Sequence, residues 1–220
     1  MLTVKPFIKW AGGKGQLLGI IREKYPENIK KYCEPFVGGG AVLLDVLANF
    51  KPEEVLINDI NHELINAYIH IRDNADDMID SLSDMQEKFW NMNSNQRKEY
   101  FYIQRAKFND GIKNNIHDVS MAVLFIFLNR TCFNGLYRVN RQGFYNVPVG
   151  SYRNPHNFVM LSSQEIYIMK KRKLFRVTIE EVISQTFDIY ANDIKEASEI
   201  IINKYNNGDI ILSPGELIFK

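Results

Sequence analysis

The sequence predicts an α/β fold, on three observations. Tyr32 to Glu34 is a short apolar run that opens into Glu34-Pro35-Phe36-Val37-Gly38-Gly39-Gly40-Ala41, as a buried strand does when it feeds a glycine-rich turn. Val55 to Ile57 is a second such run, and Asp59 closes it. Between them Val42 to Phe50 has the pattern of a helix, with Pro52 in its exit turn. Strand, glycine-rich turn, helix and a strand ending in an acid make a βαβ unit.

The remaining elements follow from periodicity and breakers. Residues 16–25 are expected to be helical, with Leu17, Leu18, Ile20 and Ile21 on one side and Pro26 ending the run. Across 62–128 the apolar residues recur at helical spacing: Leu64, Ile65, Tyr68 and Ile69, then Val123, Leu124, Phe127 and Leu128. These stripes are expected to be core. From Gly135 the period falls to two. Leu136 to Val139 and Phe144 to Val147 flank Asn140-Arg141-Gln142-Gly143, which predicts a hairpin with glycine near its turn. No periodic pattern follows Asn154-Pro155 until Lys173. Leu174 to Ile179 and Thr186 to Tyr190 then alternate as strands, Ile194 to Tyr205 reads as a helix stopped at Asn207-Gly208, and Ile210 to Leu212 could add a strand. That order describes a ββαβ module close to the lower size limit for independent folding.

Composition excludes some classes of function. The chain has 220 residues, 45% hydrophobic and 24% charged, as an ordinary globular protein has. Its longest apolar run, Met121 to Leu128, is too short to span a membrane, and Met1 to Pro6 does not resemble a secretory leader. Cys33 and Cys132 lack metal-ligand spacing, so no metal site is expected and reduced thiols in the cytoplasm are the better reading. A net charge of +1 does not announce a nucleic-acid binder, but its distribution is informative. Between Asp118 and Glu165 there is no acid, while Arg130, Arg138, Arg141 and Arg153 fall inside that window. Such a segment suits a phosphate-facing surface, with a locally basic loop as the alternative.

The glycine turn and Asp59 suggest a nucleotide-type cofactor. Glycines after a strand let the backbone approach a ligand, and an acid at the end of the next strand accepts hydrogen bonds from ribose hydroxyls. A dinucleotide is disfavoured because Leu43 stands where the third glycine of that fingerprint belongs. Gly12-Gly13-Lys14 is not a phosphate loop, since no Ser or Thr follows the lysine.

Four motifs carry a more specific resemblance. Lys9-Trp10-Ala11-Gly12-Gly13-Lys14, Glu34 to Gly40, Ile57-Asn58-Asp59-Ile60-Asn61 and Asn134-Gly135-Leu136-Tyr137-Arg138-Val139-Asn140 together resemble the Dam family of DNA adenine methyltransferases, over about residues 5–155. The resemblance implies a Rossmann-like methyltransferase fold with an inserted helical and hairpin region for DNA recognition. It also implies S-adenosylmethionine as cofactor and double-stranded DNA, often GATC, as substrate. By it, Trp10 and Lys14 contact the cofactor, Lys14 at its carboxylate; Gly38, Gly39 and Gly40 pass beneath it; and Asp59 holds its ribose. Arg138 is the main expected base contact, with Asn134, Asn140 and Arg141 as lesser candidates and Arg130 and Arg153 on phosphates.

The family's catalytic tetrapeptide, Asp-Pro-Pro-Tyr or a close variant, is not in the sequence, where no two prolines are adjacent. No catalytic residue is therefore assigned, and the chain alone is expected to be inactive, with cofactor binding weak or absent. Residues 1–155 are expected to form a truncated methyltransferase domain, with the cofactor site in 5–74 and target recognition in 75–155. Residues 156–173 would be a junction. Through Val177-Thr178-Ile179-Glu180-Glu181-Val182, Glu196-Ala197, Tyr205-Asn206-Asn207-Gly208 and Pro214-Gly215-Glu216-Leu217, residues 174–220 resemble the short DpnD/PcfM-like proteins, and Met169-Lys170-Lys171 looks like the start of a separate small gene joined by fusion or read-through. Two alternatives to a methyltransferase stay open: a non-catalytic DNA-binding or regulatory remnant, and half of a split enzyme completed by another chain.

Overall fold

A computed structural model describes residues 4–151, 174–176, 190–191 and 193–206. The chain divides into two compact units, Met1–Val177 and Thr178–Lys220.

The first unit opens with a 3-10 turn, Lys14–Leu17, running into a short helix α1, Leu18–Arg22. The sequence placed four apolar residues of this region on one buried side. Instead Leu18 and Ile21 pack against Val42 and Val46, whereas Leu17 and Ile20 are exposed. The tighter winding of the first turn rotates Leu17 away from the face that α1 buries. Strand β1 (Lys31–Glu34), helix α2 (Ala41–Asn49) and strand β2 (Glu54–Ile57) form the expected βαβ unit. β1 and β2 pair in parallel with Glu34 opposite Ile57, so both strands end at the same edge and deliver the glycine turn and Asp59 side by side.

A helical block follows: α3 (His62–Asp73), α4 (Ala75–Asn91), α5 (Ser94–Lys113) and α6 (Val119–Thr131). Three starts are capped by side chains. Asn61 accepts from Leu64 N–H, Asn93 and Gln96 form a reciprocal capping box, and Asp118 accepts from Met121 N–H. Helix α6 is apolar on nearly every side and packs against α3, α4 and α5. It is the axis of the core, with Phe125, Ile126, Phe127 and Leu128 all buried.

After α6 the chain makes a 3-10 turn at Phe133–Gly135 and then the hairpin. The arms are less regular than alternation suggests. Val139 and Tyr145 form an isolated antiparallel bridge, Asn140 N–H donates to Phe144 O, and Asn146 N–H donates to Arg138 O. Cys132 and Val149 form a second bridge at the base.

The C-terminal organisation differs from expectation at one point. Leu174–Arg176 is a strand, β3, but it pairs in parallel with β2, from Val55↔Leu174 to Ile57↔Arg176. The sheet order is β1-β2-β3, and the unit boundary falls after Val177 and not before Leu174. A short apolar strand carries no mark of its partner, so alternation alone could not distinguish a local hairpin from docking onto a distant parallel edge. In the second unit α7 (Ile194–Asn206) matches the expected helix. The expected strands at 186–190 and 210–212, and the junction 156–173, lie outside the described residues in whole or in large part.

Candidate functional site

The carboxyl edge of the β1–β2 pair opens into a cavity of about 680 Å³, lined among others by Trp10, Lys14, Gly38, Gly39, Gly40 and Asp59. The six residues singled out for a cofactor are therefore brought to one place. Its volume lies within the usual range for small-molecule sites.

The glycine turn is shaped by what surrounds it. Gly38 has φ +51°, and a Cβ there would lie 2.9 Å from Trp10 Cδ1. Gly40 has φ +75° and caps α2, and a Cβ there would run into the Tyr68 hydroxyl. The turn is held from both sides. Gly38 N–H donates to Asp59 Oδ2 at 2.9 Å, and the buried Tyr68 hydroxyl donates to Gly38 O at 2.9 Å. Asp59 Oδ1 accepts from Asn61 N–H at 3.0 Å. Each carboxylate oxygen thus takes one backbone donor and keeps acceptor capacity toward the cavity. Burial pushes the Tyr68 hydroxyl well above its ordinary pKa, with Glu34 and Asp59 adding to the shift, so it stays a neutral donor.

Lys14 is more committed than the resemblance implies. Its ammonium donates to Glu34 Oε1 at 3.0 Å and to Phe36 O at 2.7 Å. An ammonium has three donors, so one is left to face the cavity. Glu34 is buried and also accepts from the Tyr32 hydroxyl at 2.7 Å. Trp10 stacks on Tyr137, with ring centroids 5.5 Å apart and planes 26° apart. Tyr137 belongs to the hairpin segment, and its hydroxyl donates to Glu63 at 3.3 Å.

A buried amide joins the same two regions. Asn129, 1% exposed, accepts from Lys9 N–H at 2.9 Å and donates to Lys9 O at 2.9 Å and Gly135 O at 3.1 Å. The first motif and the start of the hairpin segment thus hang on one side chain.

The DNA-reading candidates separate into groups. Arg138, Asn140 and Arg141 are all exposed on the hairpin. Asn140 forms the turn itself, its Oδ1 accepting from Gln142 and Phe144 N–H, which leaves only its NH₂ for other partners. Asn134 is exposed, with a left-handed backbone at φ +56°. Arg130, expected on phosphate, directs its guanidinium to Phe7 O and Pro6 O and lines the cavity. Arg153 lies outside the described residues. Sequence reasoning missed Asn129 and Tyr137, and took Tyr68 for core alone. It also passed over Phe36 and Ile60, which are 78% and 92% exposed beside the glycine turn and Asp59. For Ile60, a large apolar residue directly after the strand-end Asp59 was the available signal.

A family model for D12-class N6 adenine-specific DNA methyltransferases matches residues 10–201. The chain belongs to that family. The match runs beyond residue 155, where the resemblance in the sequence was placed, and into the segment assigned to a separate module. Among curated relatives, the type II methyltransferase M.MjaIII of Methanocaldococcus jannaschii is 47% identical over 162 residues, which cover 71% of this chain and 56% of that protein. The type II methyltransferase M1.LlaDCHI of Lactococcus lactis subsp. cremoris is 40% identical over 70% of this chain and 50% of its own length. A DNA adenine methylase of Haemophilus influenzae is 37% identical over 69% of this chain and 49% of its own length. The chain spans about half the length of the curated relatives it matches. D12 membership implies a Rossmann-like fold that uses S-adenosylmethionine, and the structure has the small parallel sheet and helical block described above. No helix among the described residues is long and apolar enough to cross a membrane.

Proposed function

We propose that this chain is the cofactor-binding and DNA-recognition part of an N6-adenine methyltransferase acting on double-stranded DNA at GATC. The observation that carries the reading is the junction of cavity and hairpin through Asn129 and the Trp10–Tyr137 stack. In this reading Asp59 accepts from the ribose hydroxyls of S-adenosylmethionine and the free donor of Lys14 meets its carboxylate. Phe36 and Ile60 flank its adenine, an apolar planar ring that would cover both. The cofactor supplies the methyl group. Arg138 and Arg141 face the duplex, and the exposed Phe133 and Leu136 on the same segment are suited to fill the gap left by an extruded base.

Methyl transfer also requires acceptors that hold the target amine in line with the methyl donor, and the tetrapeptide that provides them in related enzymes is not in these 220 residues. The chain by itself therefore binds without transferring. A second reading, a split enzyme completed by another chain, is favoured by the position of β1. Among the described residues it stands at the edge of the sheet and pairs only with β2. Residues from Thr178 onward are proposed as a small module, similar to DpnD/PcfM-like proteins, joined to the methyltransferase part. The reading places the protein in the cytoplasm. The test is transfer of labelled methyl to GATC duplexes alongside calorimetric titration of the cofactor. Cofactor binding without transfer supports the proposal, and no binding by a folded chain refutes it.

A further inference from the structure

Helix α5 holds the outer arm of the hairpin through its backbone. Asn109 Oδ1 accepts from Tyr145 N–H at 2.8 Å, and Asn109 Nδ2 donates to Tyr145 O at 3.0 Å. A side-chain amide thereby replaces the neighbouring strand that this arm lacks. Arg105, one turn earlier on α5, donates to the carbonyl of Val147, two residues beyond Tyr145, at 3.1 Å while its guanidinium lies 4.6 Å from the Tyr102 ring centroid. The Tyr145 ring is buried between Phe108 and Tyr137, and its hydroxyl donates to Leu136 O at 3.1 Å. Residues 145 and 147 are thus fixed to the body of the protein.

Asn146, between them, points the other way. Its Oδ1 accepts from Arg138 Nε at 2.8 Å, and its own N–H donates to Arg138 O at 3.1 Å. A guanidinium can grip a two-acceptor edge through Nε and one terminal nitrogen or through its two terminal nitrogens. With Nε held by Asn146, only the end-on edge is presented, and that edge matches guanine O6 and N7.

We infer that Asn146 is a positioning residue that sets how Arg138 reads a guanine, and that Asn109 and Arg105 hold Asn146 in place from α5. This rests on the proposed function, because it specifies how the proposed base contact is aimed. Arg138 extends from an exposed, irregular hairpin, where an unrestrained side chain would sample many rotamers. Fixing one of them before contact removes part of the ordering cost of binding and excludes the side-on geometry.

The test measures binding of the full chain to a GATC duplex and to duplexes with each guanine replaced by 7-deazaguanine, by fluorescence anisotropy with S-adenosylmethionine present. The wild type should discriminate against the replacement at one guanine, and Arg138→Ala should abolish that discrimination. Asn146→Ala should lower it by about tenfold, the scale of one bidentate base contact. Asn146→Asp, which keeps the acceptor, should retain it. The Arg138→Ala/Asn146→Ala double variant should match Arg138→Ala alone, and Asn109→Leu should weaken discrimination while cofactor affinity stays unchanged. Wild-type protein without preference for any duplex would overturn the functional reading together with this inference. Discrimination that is lost in Arg138→Ala but intact in Asn146→Ala, or additive losses in the double variant, would overturn the inference alone.

Discussion

Tyr68→Phe removes one oxygen atom from the centre of the candidate site and leaves the ring that packs the core. Tyr68 is 0% exposed, meets Phe7 edge-on at 5.0 Å, and donates to Gly38 O at 2.9 Å. The variant leaves the Gly38 carbonyl without that donor, which costs about 1–2 kcal/mol. At about 2–4 °C per kcal/mol for a chain of this size, Tm should fall by a few degrees. The denaturation midpoint should fall without a change in slope, since the surface exposed on unfolding is the same. The same hydroxyl stands where a Gly40 Cβ would project, so a double-mutant cycle isolates the close approach. Gly40→Ala alone should cost about 1–2 kcal/mol for its left-handed backbone and about 1–3 kcal/mol more for overpacking. In the Tyr68→Phe background part of the overpacking is relieved, so the double variant should be more stable than the sum of the single changes implies. Equilibrium urea unfolding of the four proteins measures this. A neutral Tyr68→Phe, or additive losses, would refute the view that this hydroxyl shapes the glycine turn.

Three further outcomes are expected. Asp59→Ala should lower cofactor affinity by about 1.5–3 kcal/mol or more, since a charged acceptor is lost and Gly38 N–H is released; calorimetry against wild type checks it. Asp118→Ala should destabilise the fold by about 1 kcal/mol at neutral pH through loss of the α6 cap. The Ser120 hydroxyl and then the Met121 N–H hold the Asp118 carboxyl below its ordinary pKa. Its contribution is therefore complete above the unfolded value of about 4 and lost as pH falls through the folded value, so the two proteins should converge in acid unfolding. Labelled methyl transfer to adenine by the 220-residue chain should stay at the no-enzyme level, and incorporation above it would mean that another group holds the target amine.

The sequence determined the βαβ unit, the helical block and the membership of the cavity, because each depends on local chemistry. A glycine turn after an apolar run and an acid at the next strand end act within a few residues of where they stand, as do the caps Asn61, Asn93 and Asp118 of three helices. Gly38, Gly39, Gly40 and Asp59 could be chosen before the cavity was seen for that reason, while Trp10 and Lys14 came from the family resemblance. The tertiary structure decided everything that depended on a distant partner. Asn129 reaches Lys9 across 120 positions, and Asn109 grips Tyr145 across 36, yet nothing in either neighbourhood marks an amide that serves a remote backbone. Arg130 was chosen as a phosphate contact because an arginine in an acid-free stretch has the right charge, and only the folded chain shows that its guanidinium also holds the N-terminal carbonyls of Pro6 and Phe7. Leu174–Arg176 looked like half of a local hairpin because strand alternation states which faces differ and not which edge is joined. Hydrogen-bond partners and strand edges are satisfied by geometry, and only the folded chain brings those atoms within reach.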